Sequence, residues 1–477
     1  MMRFNFFLSF LTVFFGGNQS FSQSPDMLIK EFMNEGKVPG VFVAVVKNDS
    51  VLFEKAYGIA DIVKGTPVTN KTCMELGSIS KAFTDEAILY LYYKHLLDLD
   101  DPITKYLPDA PSRWSVITIR NLMDHTSGIR EYLSDPRFMA DAIFNSSALD
   151  ETANFFLNRI STDSMVRMFY SLPLEFSPGA TWSYSNPGYY LLGKIGERVS
   201  GKNFFDLVNE VLFVPLKMSQ TKANELASAE GCLLQGYFQS DRDDMKPSRV
   251  LTSNYAFSAG AWATSGQDMI NYIKSIHLKT LPSDNEGYDW RNYNPEKILP
   301  FTYHLGRFYS SYHGKHIFLH NGGTPGFSSS WIYVKEDTIS IIVLANRQDY
   351  APIDPLAWNI LAWYDSSLYF PTDTLNGVEE RKYERMIYNI VKAIQENKPF
   401  PKGLSEPLRM LMESESGRSI WKWIFERGFP KTNYCVDTEI IGKTKAYRFR
   451  LPLNSKVEYR LTAIINEKNE LAQLLWW

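Results

Sequence analysis

Glu75-Leu76-Gly77-Ser78-Ile79-Ser80-Lys81-Ala82-Phe83-Thr84-Asp85-Glu86-Ala87-Ile88-Leu89-Tyr90-Leu91 is the stretch from which the rest of the chain is read. Three residues apart on a helix, Ser78 and Lys81 share one face, which brings a hydroxyl and an amine close enough to exchange a proton. Apolar residues at helical spacing from Ala82 onward predict a buried helix opened by Ser78. Free backbone N–H groups and the helix dipole favour negative charge at such a start. Ser-x-x-Lys also occurs at Ser219 to Lys222 and at Ser419 to Lys422, so the tetrapeptide means little without its surroundings.

Two further motifs follow in chain order. Ser177-Pro178-Gly179-Ala180-Thr181-Trp182-Ser183-Tyr184-Ser185-Asn186 holds the only Tyr-x-Asn of the chain, in a run of turn formers that ends at an apolar helix. Loops of this kind commonly present catalytic groups. His320-Asn321-Gly322-Gly323-Thr324-Pro325-Gly326 follows the apolar run Ile317-Phe318-Leu319 and so falls at the end of a strand.

Together these motifs resemble the penicillin-recognising serine hydrolases, in the branch holding class C β-lactamases, D,D-carboxypeptidases, D-aminopeptidases and related esterases. Class A relatives carry Ser-Asp-Asn and Lys-Thr-Gly where this chain has Tyr-Ser-Asn and His-Asn-Gly. Leu122-Met123-Asp124-His125-Thr126-Ser127-Gly128-Ile129 and Ala259 to Met269 look like two more family segments, and the resemblance runs from about Pro25 to about Leu368. It implies Ser78 as nucleophile and Lys81 with Tyr184 as a proton-transferring pair. It also implies Asn186 between Lys81 and the substrate amide, and an oxyanion site between the N–H groups of Ser78 and Gly323. Gly322 and His320 would line the same cleft.

A serine hydroxyl needs a base, and an ammonium cannot be one. Lys81 must therefore spend time neutral, which burial favours. Tyr184 could take or return the proton instead, and the residues alone leave that choice open. Singly, Ser78 reads as a helix cap, Lys81 as a solvated cation and Tyr184 as core; their ordered appearance together points to a site. His320 replaces a permanent cation with an imidazole of ordinary pKa about 6.5, so carboxylate binding should be weaker or fall to Arg347, after the strand Ile341 to Ala345. This tilts the expectation from a dedicated β-lactamase toward a peptidase, amidase or esterase. Activity should then fall as pH drops through the imidazole pKa.

The expected function is therefore acyl transfer from a small-molecule or peptide substrate, without cofactor. The alternative is a silent sensor of penicillins or cell-wall peptides using the same cleft. A conventional α/β-hydrolase is disfavoured because no Gly-x-Ser-x-Gly occurs. His313, His316 and His320 lack an HExxH context or a carboxylate cluster, so no metal site is expected.

Met1-Met2-Arg3, an apolar run from Phe4 to Phe15 and Ser20-Phe21-Ser22-Gln23 describe a secretory signal peptide, residues 1–22, cleaved near Ser22. A dozen apolar residues is short for a membrane anchor. A periplasmic or secreted location follows. Cys73, Cys232 and Cys435 can form at most one bridge and are read as buried thiols. A net charge of -3 over 477 residues gives no electrostatic reason for nucleic-acid or anionic-membrane partners.

Val41 to Val46, Asn48-Asp49-Ser50 and Val51 to Phe53 read as a hairpin, as do Ser330 to Val334 and Thr338 to Leu344. Helical periodicity dominates between them, from Ser78 to Asn271. The expected fold is thus an α+β sandwich of the β-lactamase/transpeptidase kind: an antiparallel sheet closed by distant segments, flanked by helices, with a mostly helical insertion. Residues 23–371 would form this hydrolase domain. Residues 372–477 would be a small α+β appendage, separable from the chemistry, with a helix from Val378 to Gln395, more helix within Ser405 to Phe425, and three terminal strands.

Overall fold

The computed structural model describes residues 24–138, 143, 151–239, 245–281, 302–348, 353–371, 374–375, 377–414, 435–441, 443–452 and 458–476. The leader segment and Ser419 to Lys422 lie outside them. Strands β1 (Gly40–Lys47), β2 (Ser50–Asp61), β3 (Thr66–Pro67), β4 (Cys73–Glu75), β5 (Lys222–Ala223), β6 (Trp262–Ser265), β7 (Thr302–His304), β8 (Arg307–Tyr312), β9 (Lys315–Thr324), β10 (Phe327–Val334) and β11 (Ile339–Ala345) belong to the first part of the chain. Eight of them form one antiparallel sheet in the order β3-β2-β1-β11-β10-β9-β8-β7. The closure expected from distant hairpins is the β1–β11 pairing, from Val41 opposite Ala345 to Lys47 opposite Ile339.

Alternation along the strands assigns the two faces. Val41, Val43, Val45, Ile341 and Val343 pack against α1 (Pro25–Glu35) on one side. Phe42, Ala44, Phe318, Trp331, Ile342 and Leu344 face the helical region on the other. That region includes α2 (Lys81–Tyr93), α3 (Asn186–Ser200) and α4 (Gly266–Leu278), while α5 (Ile353–Tyr364) joins α1 on the far face. Among the described residues no helix is long and apolar enough to cross a membrane.

Several local readings shift. Strand β2 runs to Asp61, well past Phe53, and the first turn is only Asn48–Asp49 because Ser50 already pairs with Lys47. His320 to Gly323 form the end of β9, as read, and Thr324 pairs with Phe327 to leave Pro325-Gly326 as the turn. Proline presets the first turn torsion and Gly326 takes φ 86°, open to glycine without strain. The thiol reading fails for two cysteines: Cys73 and Cys232 form a disulfide with Cα atoms 5.2 Å apart, and only Cys435 is a buried thiol. A separation of 159 residues hid that pairing from sequence.

The C-terminal part carries α6 (Val378–Gln395), at the boundaries read from its apolar stripe, and α7 (Glu406–Glu413). Its sheet runs β12 (Cys435–Ile441), β13 (Thr444–Pro452), β14 (Glu458–Ile465) and β15 (Leu471–Trp476) in sequence order; β12 was not anticipated. Tyr383, Ile387, Ile390 and Ile394 pack on Tyr447, Phe449, Leu461 and Leu471 in a core of their own. This unit is clamped to the first. Arg448, fully buried, binds Asp437 at 2.6 Å, Glu439 and the Ser311 carbonyl, and lies 4.7 Å from the Tyr312 ring centre. Glu439 accepts the backbone N–H groups of His313 and Gly314 at the β8–β9 turn, both at 2.9 Å.

Removing one partner of a buried ion cluster leaves uncompensated charge and typically costs about 3–5 kcal/mol. Arg448→Met should therefore lower stability by about that much in urea denaturation and speed proteolysis of the C-terminal unit. Unchanged denaturation and cleavage would show that the clamp does not hold the two units together.

Candidate active site

Strand β4 pairs with β6, Cys73 opposite Ser265 and Glu75 opposite Ala263, and delivers the chain to a short 3₁₀ turn, Gly77–Ser80, which runs straight into α2. Ser78 thus stands one turn before the α-helix proper, partly exposed, while its neighbours are buried. Gly77 has φ 57°, and a Cβ there would lie 2.7 Å from the Gly323 nitrogen. Gly322 is equally constrained, since its Cβ would lie 2.1 Å from the Leu76 carbonyl oxygen. Ser329 Oγ donates to that same carbonyl at 2.8 Å. The absence of side chains at both glycines lets β9 lie flush on the backbone leading to Ser78. Gly323 itself faces open space.

Lys81 is completely buried. Its Nζ lies 2.7 Å from Asn186 Oδ1, 2.7 Å from the Ala259 carbonyl oxygen and 3.1 Å from Ser78 Oγ. Burial pulls its pKa down to about 7, against the opposing pull of the Glu131 and Asp85 carboxylates. Two of the three contacts are carbonyl oxygens, which can only accept. They claim two N–H bonds, so the neutral amine directs its lone pair at the one partner that can donate, the Ser78 hydroxyl.

Asn186 opens α3, with Ser185 as N-cap accepting from Gly188 N at 3.3 Å. The preceding loop places the Tyr184 ring 4.8 Å from Lys81 Nζ, stacked on Phe308 at 6.3 Å and tilted against His125 at 4.3 Å. The buried Tyr184 hydroxyl completes no hydrogen bond, although Ser78 lies near enough to favour its phenolate slightly. Burial outweighs that effect and drives its pKa well above the ordinary value, so the phenol stays protonated.

His320 faces this cluster, 6.2 Å from Tyr184 ring to ring. Its Nδ1 lies 2.5 Å from the Asn321 carbonyl oxygen, so Nδ1 carries the proton and Nε2 accepts from Tyr303 Oη at 3.0 Å. Burial and the nearby Lys81 charge push its pKa down to about 3. The expected titration of His320 near pH 6 to 7 is therefore corrected: the imidazole remains neutral there, and the group placed to titrate near 7 is Lys81.

Ser78, Lys81, Tyr184, Asn186, His320, Gly322 and Gly323 thus converge. Arg347 does not join them as closely: it follows β11, two strands over from Gly323, where its carbonyl accepts from Ser328 Oγ at 2.8 Å. Ser219 is exposed, on no catalytic helix. His313 and His316 turn to Asp437 and Glu336. Sequence reasoning missed Gly77, the Ala259 carbonyl, Tyr303 and Glu131. Glu131 is buried six residues after His125, and its Oε2 accepts from Asn186 N at 2.6 Å. It also missed that Thr181 Oγ1, in the loop carrying Tyr184, donates to the Pro407 carbonyl of α7 at 2.9 Å, so the C-terminal unit reaches the edge of the site.

A serine, a buried lysine and a tyrosine gathered between an antiparallel sheet and a helical region define the β-lactamase/transpeptidase fold class. The sequence profile described as Beta-lactamase matches residues 26–362, and the chain belongs to that family. Protein flp of Staphylococcus aureus (strain MW2) is 28% identical over 348 residues, covering 69% of this chain and 64% of its own length. The chain thus spans just under two thirds of that relative. Penicillin-binding protein 4* of Bacillus subtilis is 25% identical over 323 residues, covering 64% of this chain and 68% of its own. The octameric penicillin-binding protein homologue from Pyrococcus abyssi shares the fold at 19% identity, with a TM-score of 0.60 over 95% of this chain and 94% of its own.

Gly77→Ala forces a Cβ into a left-handed torsion and against backbone. Stability should fall by more than about 1 kcal/mol. If Gly323 is displaced from its place beside Ser78, kcat should fall about 100-fold or more, the scale of losing one oxyanion donor. Wild-type kcat in a folded Gly77→Ala protein would show that this contact does not shape the site.

Proposed function

We propose that this chain is an exported serine hydrolase that passes the acyl group of an amide, peptide or ester substrate through Ser78. The observation that carries this reading is the Lys81 amine, 3.1 Å from Ser78 Oγ with its other directions taken by carbonyl oxygens, in surroundings that bring its pKa to about 7. Neutral Lys81 takes the Ser78 proton as Oγ attacks the substrate carbonyl. The resulting oxyanion is held by the N–H groups of Ser78 and Gly323. Tyr184, kept protonated by burial, donates to the leaving group. Water then resolves the acyl-enzyme by the same steps in reverse.

Neutral His320 offers no fixed cation for a substrate carboxylate, and this supports a peptidase, amidase or esterase over a dedicated β-lactamase. The Cys73–Cys232 disulfide suits an oxidising compartment and supports the reading of residues 1–22 as a cleaved leader to the periplasm or beyond.

Profiling against nitrocefin, D-alanyl peptides and short-chain esters tests the reading. At least one should be turned over, and Ser78→Ala should abolish that turnover. Because Lys81 acts as base only when neutral, kcat/KM should rise with pH through about 7 and be lost below it. His320 should add no step between about pH 5 and 9, since it is already neutral. Tyr184→Phe should lower kcat by about 100-fold with folding retained. Binding of penicillin without turnover of any class would favour the sensor instead, and activity that survives Ser78→Ala would overturn the assignment.

A further inference from the structure

Two carboxyl groups around Lys81 have no part in the proton transfers above, Glu131 and Asp85, and Glu131 is the one bonded to the backbone at the start of α3. Glu131 follows the His125-to-Gly128 turn and caps the short helix Tyr132–Ser134, its Oε1 accepting from Leu133 N at 3.0 Å. Its Oε2 accepts from Asn186 N at 2.6 Å, at the start of α3. Asn186 in turn presents Oδ1 to Lys81 at 2.7 Å. Burial raises the Glu131 pKa, while these N–H donors and Lys81 pull it back down. Both carboxylate oxygens receive backbone N–H groups, and one of them sits at a helix N-terminus, where the dipole favours an anion. Both oxygens are thus used as acceptors, which favours the charged form, although burial still leaves the pKa above the ordinary carboxylate value.

We propose that Glu131 is a positioning residue which fixes Asn186 against Lys81 and, as a buried anion, sets the pH at which Lys81 gives up its proton. The inference rests on the reading of Lys81 as the base for Ser78. Glu131 faces Lys81 together with the phenols of Tyr132, Tyr184 and Tyr255. Lys81 also faces Asp85, but burial pushes that carboxyl well above the usual carboxylate range, against the opposing pull of Tyr189 Oη at 2.6 Å and of Arg307. His125 and His320 are both neutral, held so by burial and by Lys81 itself. Of the two carboxyls that oppose the burial of the ammonium, Glu131 therefore contributes more. Without it, Lys81 should hold its proton less tightly and act as a weaker base. An opposite charge beside a buried cation is typically worth about one pKa unit or more.

Direct titration of Lys81 in the full chain tests this. With lysines labelled at the ε-carbon with ¹³C, Lys81 is recognised as a resonance with a midpoint near 7. In Glu131→Gln the midpoint should fall by about one pH unit, and the acid limb of kcat/KM should move down with it. Glu131→Asp keeps the charge and should leave the midpoint in place while lowering the rate. An unmoved midpoint in folded Glu131→Gln would overturn the proposal, because a merely structural residue would change rate or stability alone. If Glu131→Gln does not fold, the wild-type protein decides. Its Lys81 resonance should show a second inflection on the acid side as Glu131 gains its proton, and a single step down to pH 4 would refute the coupling. A moved midpoint in a protein whose Ser78→Ala variant stays active would instead overturn the hydrolase reading and leave only the coupling of Glu131 to Lys81.

Discussion

A lysine with no solvent, gripped by two carbonyl oxygens and a serine hydroxyl, is the contact on which the rest of the site depends. Lys81 lies in the first turn of α2, Asn186 begins α3, and the Ala259 carbonyl precedes β6. Holding the amine therefore requires three elements far apart in the chain to meet at hydrogen-bond distance. It also costs stability. A lysine whose pKa falls on folding penalises the folded state wherever the unfolded chain would be protonated. The penalty is complete below about pH 7 and fades as pH rises toward 10.5. The large two-sided core, with Phe83 against Phe213 and Tyr272 above α2, offsets it.

The sheet supplies the second half of the geometry. Because β1 pairs with β11, the N-terminal hairpin is locked to the strands beside β9, and β9 carries Gly322 and Gly323 onto the backbone before Ser78. Rigid strands on one side and helix starts on the other leave little freedom between nucleophile and base. The Cys73–Cys232 disulfide joins the strand leading to Ser78 to the segment after Ala229, and backbone bonds between Cys73 and Cys232 and between Leu234 and Cys73 run alongside it.

Much of this was legible in residues alone. Period-two and helical patterning gave the two hairpins and α6, and ordered short motifs brought Ser78, Lys81, Tyr184, Asn186 and Gly323 to one place. What was hidden has a common physical character. Ala259 acts through its own carbonyl and Glu131 through the backbone N–H of Asn186, and no side-chain pattern marks a carbonyl or an N–H that will meet a partner over 50 residues away. The pH range over which His320 titrates was misplaced, though not its neutrality at neutral pH, because the ordinary imidazole pKa belongs to a solvated ring, whereas this one is buried between Tyr303 and its own strand. Strand β12 escaped notice because alternation is weak in a short edge strand whose Asp437 and Glu439 serve Arg448. The reach of α7 to Thr181 depends on docking, which sequence does not encode locally.

The central claim is that Ser78 is the nucleophile and that a neutral Lys81 activates it. Reaction of the full chain with a fluorophosphonate across pH 5 to 9, with the adduct located by peptide mass spectrometry, measures both parts at once. A single adduct on Ser78, forming faster as pH rises through about 7, is the predicted result. An adduct on Ser219 or Ser419, or labelling of Ser78 at a rate indifferent to pH, would contradict it.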